Sequence, residues 1–262
     1  MTSSAGDRAP TPYERGAADF FDRTARQYDR NFDAHTVYGH CHRVRLETAA
    51  RLVGAGPGEV LEAGFGPGQL LEELERRDWT AWGVDAAPAI VELARARLPA
   101  AAGRLTLGDV ERLPFPDERF DAIVCTGLLG YVGTAAALGE LVRVLRPGGR
   151  AVVSFKRRSP YWLLRDGVYY PFLRSARRLG LASVRMPAQR RPPRSARAAA
   201  ALVGEAGLRV EVVECVGCMV LSQTGKPGPG SPALRIARAA EARPWARRLL
   251  ATQVLVAARK DG

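Results

Sequence analysis

The stretch Val60-Leu61-Glu62-Ala63-Gly64-Phe65-Gly66-Pro67-Gly68 constrains the fold most: an apolar run ends in an acid and passes into three glycines at alternate positions. A short apolar run of this kind is a buried strand, and the glycines let the chain turn sharply into a helix over bare backbone. The same alternation continues downstream. Strands are expected at 59–63, 80–85, 105–108, 120–126, 150–155, 209–216 and 254–258, and helices at 69–77, 88–98, 134–145, 197–205 and around 233–250. Strand-helix units joined by short loops imply an α/β fold, doubly wound, with a parallel sheet covered on both faces. Pro88 fits the first turn of its helix, where a missing N–H does no harm, and Pro147-Gly148-Gly149 is read as a helix stop.

Ahead of this core, residues 1–12 read as a disordered leader. Ala17, Phe20, Phe21, Ala25, Tyr28 and Phe32 then recur at helical spacing. A second helix at 38–53 ends at Gly54-Ala55-Gly56-Pro57-Gly58, which makes 13–55 a helical cap on a single domain spanning 13–262. The 262 residues are 47% hydrophobic and 25% charged, enough for a sizeable core. No run reaches the roughly 18 apolar residues of a membrane span, and the first residues are polar, so the expected location is the cytoplasm. Four scattered cysteines suit a reducing compartment. Cys215 and Cys218 lack a second pair, and their offset on a strand would send the thiols to opposite faces, so no metal site is expected.

The net charge of +12 is concentrated. Between Lys156 and Arg197 twelve basic residues stand against the single acid Asp166, which accounts for +11 of it. This segment also carries Tyr161-Trp162-Leu163-Leu164 and Tyr169-Tyr170-Pro171-Phe172-Leu173. Its plain reading is a solvated face or a packed amphipathic helix; its functional reading is contact with an anionic acceptor or membrane surface.

Around the glycine loop, a dinucleotide fingerprint would need its third glycine at position 69, where Gln69 stands, and a phosphate loop is absent. Glu62 beside the loop would repel a pyrophosphate, whereas it suits a cationic amino group or a hydrogen-bonded network. Asp85 ends the second strand, where a carboxylate can accept from both ribose hydroxyls, and Asp109 follows the third, placed to accept from an adenine amino group.

These stretches, with Gly83-Val84-Asp85, the run 108–115, Phe120-Asp121-Ala122-Ile123-Val124 and Leu145-Arg146-Pro147-Gly148-Gly149, resemble the class I S-adenosylmethionine-dependent methyltransferases. The likeness is nearest to the branch with ubiquinone/menaquinone and natural-product methyltransferases. It implies a Rossmann-like sheet of seven strands, mostly parallel with the last antiparallel, and a helical lid insertion at 157–196. It further implies that Glu62, Gly64, Gly66 and Gly68 frame the methionine part of S-adenosyl-L-methionine, that Asp85 with Ala86 holds the ribose, and that Asp109 with Val110 holds the adenine. Thr126 would lie near the sulfonium, and Tyr28 would close over the amino acid end.

Methyl transfer from a sulfonium depends mainly on alignment and exclusion of water. Many relatives carry a histidine where this chain has Tyr131, which leaves Tyr131, His35, His40 and His42 as base candidates, or no base at all. The expected activity is methylation of a small natural-product or quinone-like acceptor at O, N or C. The alternatives are an RNA methyltransferase, favoured by the positive charge, and a non-catalytic cofactor-binding protein on an anionic surface.

Overall fold

A computed structural model describes residues 12–33, 35–160, 194–219 and 231–262. The leader up to residue 11 and the aromatic part of the insertion, 161–193, lie outside the described residues. Two cap helices come first, α1 (Pro12–Asp33) and α2 (Val37–Val53), the second started by Thr36, whose Oγ1 accepts from the Gly39 N–H at 3.0 Å. The alternating core follows as β1 (Gly58–Ala63), α3 (Gln69–Glu75), β2 (Trp79–Asp85), α4 (Pro88–Arg97), β3 (Leu105–Leu107), β4 (Phe120–Cys125), α5 (Thr134–Val144) and β5 (Leu145–Lys156). It closes with α6 (Ala196–Glu205), β6 (Leu208–Cys218), α7 (Pro232–Glu241), α8 (Pro244–Leu250) and β7 (Ala251–Lys260).

The seven strands form one sheet in the order β3-β2-β1-β4-β5-β7-β6. Strands β1 to β5 pair in parallel, and β7 runs antiparallel to both neighbours, as the family resemblance implies. The period-two alternation of the strands splits their apolar residues between two layers. Leu61, Ile123 and Cys125 pack with Leu138 and Leu141 of α5 and Val203 of α6. Val60, Ala122 and Val124 pack with Ala49 of α2, Leu71 of α3 and Ile90 of α4. Because β1 has β2 on one side and β4 on the other, the connections part there, which opens a crevice at the carboxyl ends of these strands.

Three local expectations are corrected. The helix expected at 134–145 ends at Val144, since Leu145 is extended (φ −81°, ψ 133°) and already pairs with Phe120. Pro147-Gly148-Gly149 therefore lies in the irregular start of β5, where Gly148 has φ 76° and the register shifts, rather than between helix and strand. The helix expected around 233–250 is two helices, because Pro244 cannot continue one and holds Arg243 in an extended conformation (φ −108°, ψ 118°). On β6, Cys215 and Cys218 are both free thiols; Cys218 is buried in a small cluster with Ala246 and Ala251, while Cys215 is half-buried between that cluster and the main core. The insertion after β5 is pinned at its ends: Arg194 N donates to Lys156 O (2.8 Å) and Arg158 N to Arg194 O (2.9 Å).

Candidate functional site

The crevice holds a cavity of about 380 Å³ walled by the ends of β1, β2 and β4, the loop after β3, and α1. A narrow extension of about 20 Å³ runs beneath it, and Tyr28, Gly64, Gly66 and Thr126 line both.

The three glycines of the loop differ in what they face. All have positive φ: 73° at Gly64, 55° at Gly66 and 88° at Gly68. A side chain at Gly66 would meet open space and only the Tyr28 ring at 3.7 Å, so its backbone is bare to a ligand. Gly64 lies under Leu128, which a Cβ would meet at 2.8 Å. Gly68 lines neither cavity; it starts α3 and lets that helix approach Ala94 of α4.

Asp85 fixes this loop. Its Oδ2 accepts the Gly66 N–H at 3.0 Å and its Oδ1 the Ala87 N–H at 3.1 Å, and the Ala86 N–H also reaches the carboxylate, which leaves some lone-pair capacity for a ligand. Burial raises its pKa, against the opposing pull of these backbone hydrogen bonds. Ala86 lines the same wall. Asp109 is exposed and lines the cavity while its Oδ1 accepts the Glu111 N–H at 2.9 Å, so it caps its own turn; Val110 beside it is buried and forms the floor.

Beneath the loop lies a buried polar group. Glu62 is 2% exposed, takes the Leu71 N–H, and leaves Oε2 without a partner. Burial pushes its pKa well up, Asp85 adds to the rise, and Arg45 opposes it. Arg45, from α2, is itself buried: its guanidinium reaches His42 Nδ1 at 2.7 Å and the Tyr28 hydroxyl, passes under Gly127, and leaves Nε unpartnered. Thr126 is buried against both cavities, and Gly127 N donates to Ser154 Oγ at 2.9 Å.

Arg45 was absent from the sequence expectations. The signal was present, since His42 and Arg45 are three apart on a helix whose same side carries Cys41 and Ala49, all buried. A charged side chain on an apolar helix face needs a partner.

The three histidines are not brought to the cavity. His35 is exposed. His40 lies near Glu241, its pKa lowered by burial. His42 is held neutral by burial and by Arg45, whose guanidinium donates to its Nδ1, and it packs against Phe32 and Tyr38 at 4.3 and 4.2 Å. Tyr131 does line the cavity, edge-on to Phe21 at 5.4 Å, and Phe21 in turn contacts Tyr28 at 5.1 Å. These rings form an aromatic wall. Polar ties hold α1 over it: Asp22 accepts the Ala89 N–H at 2.6 Å, and Asp29 takes Arg97 at 2.7 Å and Gln69 at 3.0 Å.

A family profile described as "Methyltransferase domain" matches residues 61–153. The demethylmenaquinone methyltransferase of Mycolicibacterium paratuberculosis is 40% identical over 144 residues, 53% of this chain and 59% of that protein. The Tropheryma whipplei enzyme of the same name is 36% identical over 138 residues, 51% of this chain and 56% of its own length. The chain thus spans less than two thirds of the length of these relatives. Among solved structures, a methyltransferase from Thermotoga maritima described as a possible histamine N-methyltransferase superposes with a TM-score of 0.59 at 20% identity, covering 93% of this chain and 99% of that one. Geranyl diphosphate C-methyltransferase from Streptomyces coelicolor, solved with S-adenosyl-L-homocysteine, gives 0.63 at 16% identity, covering 97% and 100%. Motif order, the profile match over residues 61–153 and the shared sheet make the chain similar, over its loop-bearing core, to the class I S-adenosylmethionine-dependent methyltransferases.

Proposed function

We propose that the protein binds S-adenosyl-L-methionine in the crevice and methylates a flat, lipophilic small molecule there. The observation that carries this is the orphaned Glu62 Oε2 beside the bare backbone of Gly66, in line with Asp85: an acceptor for a cationic amino group at one end and for ribose hydroxyls further along. Arg45 in the same pocket suits a carboxylate, so the buried charges there match a zwitterionic amino acid end.

When bound, the cofactor supplies an electrophilic methyl group on a sulfonium. The chain's own groups orient and shield. Phe21, Tyr28 and Tyr131 exclude water, and Ala17, Leu107, Leu128 and Val132 give the remaining wall an apolar surface suited to a ring system. With all three histidines away from this wall, proton removal falls to Asp19, Asp109 or Tyr131, or is needless for an acceptor already ionised in solution. The demethylmenaquinone methyltransferases among the relatives and the geranyl diphosphate C-methyltransferase among the structures support a lipophilic acceptor.

Titration calorimetry with S-adenosyl-L-homocysteine tests the reading. Wild type is expected to bind in the micromolar range, about −8 kcal/mol, and Asp85→Ala to lose about 3 kcal/mol through the two ribose hydrogen bonds to a charged group. Failure of the wild type to bind overturns it.

A further inference from the structure

Away from the crevice, α7 and α8 present a surface unlike the rest of the molecule. Of the six large apolar side chains exposed among the described residues, three fall there: Ile236 (47%), Trp245 (63%) and Leu249 (52%). Trp245 and Leu249 are four apart and share one side of α8, with exposed Arg248 beside them, while Ala246 and Leu250 pack inward with Cys218 and Ala251.

Positive charge is concentrated on this surface as well, with five arginines in residues 235–248 against the single acid Glu241. Elsewhere arginines such as Arg51, Arg97, Arg104, Arg143 and Arg259 sit in ion pairs. Arg235, Arg238, Arg243, Arg247 and Arg248 have no carboxylate partner among the described residues. The nearby acid Glu241 is turned inward, its Oε2 accepting the Cys218 N–H at 2.8 Å and its Oε1 buried.

Register fixes where the surface lies. Helix α8 runs directly into Ala251, which pairs with Cys218, and Gln253 pairs with Lys156 at the end of β5. It therefore sits at the sheet edge where β1, β2 and β4 also end, the edge that bears the cavity. Arg157 anchors its last turn by donating to the carbonyls of Arg248, Leu249 and Ala251.

We propose that the α7–α8 surface docks the protein on an anionic lipid bilayer, with Trp245 and Leu249 entering the headgroup–acyl boundary and the unpaired arginines meeting the headgroups. A bilayer suits both halves of the surface, since interfacial binding combines buried apolar area with attraction to anionic lipid. A nucleic acid would satisfy the arginines and leave Ile236 and Leu249 in water.

The test is co-sedimentation of the full chain with phosphatidylcholine vesicles, with and without about one third phosphatidylglycerol, at low salt where surface charge is unscreened. Wild type is expected to partition onto the anionic vesicles. Trp245→Ala with Leu249→Ser should lower partition by more than about tenfold. Arg243→Gln with Arg247→Gln and Arg248→Gln should lower it by about 100-fold, at roughly fivefold per arginine. Unchanged melting by circular dichroism shows that the variants fold. The proposal is overturned if wild type ignores anionic vesicles or if both folded variants bind like wild type. Loss in the arginine variant alone means plain electrostatic adsorption and overturns docking, as does retention on single-stranded RNA, abolished by both variants, without vesicle binding.

Discussion

Replacing Glu62 by glutamine is expected to stabilise the protein and abolish cofactor binding together. Glu62 is 2% exposed, one oxygen is held by the Leu71 N–H, and Oε2 has no partner. Burial holds its carboxyl well above the ordinary carboxylate range, so the unfolded chain gives up this proton first. Stability is therefore unpenalised while both states are protonated and falls as pH rises from about 4.5 through the folded pKa. Glutamine keeps the carbonyl for Leu71 and removes the charge. Glutamine never ionises and so avoids the loss that wild type suffers above about pH 4.5; Glu62→Gln should gain about 1 kcal/mol at neutral pH, the scale of a typical single substitution, or about 2–4 °C in Tm for a chain of this length. Urea midpoints of both proteins across a pH series give the difference curve, which should open above about pH 4.5 and close below it. S-adenosyl-L-homocysteine should raise the Tm of wild type only. A variant destabilised equally at every pH would refute the reasoning, because it would mean that the carboxylate is satisfied in the folded chain.

His42 predicts the opposite slope on the acid side. Its pKa is lowered by burial and Arg45, so wild type should lose stability as pH falls from about 6.5 towards the folded pKa, the unfolded chain taking up a proton that His42 refuses. His42→Gln retains an acceptor for Arg45 and should flatten that limb of the urea-midpoint curve; an unchanged limb would exclude His42 as its source. In the glycine loop, Gly64→Ala combines positive φ with a Cβ 2.8 Å from Leu128, and should cost about 2–4 kcal/mol in chemical denaturation. Gly66→Ala meets only backbone strain of about 1–2 kcal/mol, yet should weaken S-adenosyl-L-homocysteine binding in calorimetry because its Cβ projects into open cavity. The reverse ranking of the two unfolding costs would contradict the packing described.

Local pattern carried much of this protein. The apolar run ending at Glu62, the glycines after it and the acids at 85 and 109 could be read because strand alternation, turn conformation and carboxylate chemistry act over a few residues. The sequence also separated the cap from the core and concentrated the positive charge after β5. It misjudged the 233–250 region, where Pro244 divides one hydrophobic pattern between two helices. Tertiary structure alone decided which of these residues meet. The three histidines look alike as potential bases until packing draws His42 into the cap core and leaves His35 in solvent. Arg45, almost unremarkable in the chain, becomes a buried cation lining the same pocket as Glu62 because α2 packs over the sheet there. Gly68 shares its spacing with Gly64 and Gly66 but faces Ala94 rather than the cavity. Spacing along a chain sets the local turn; what stands across from that turn is fixed by elements tens of residues away, through burial and pairing that no short window contains.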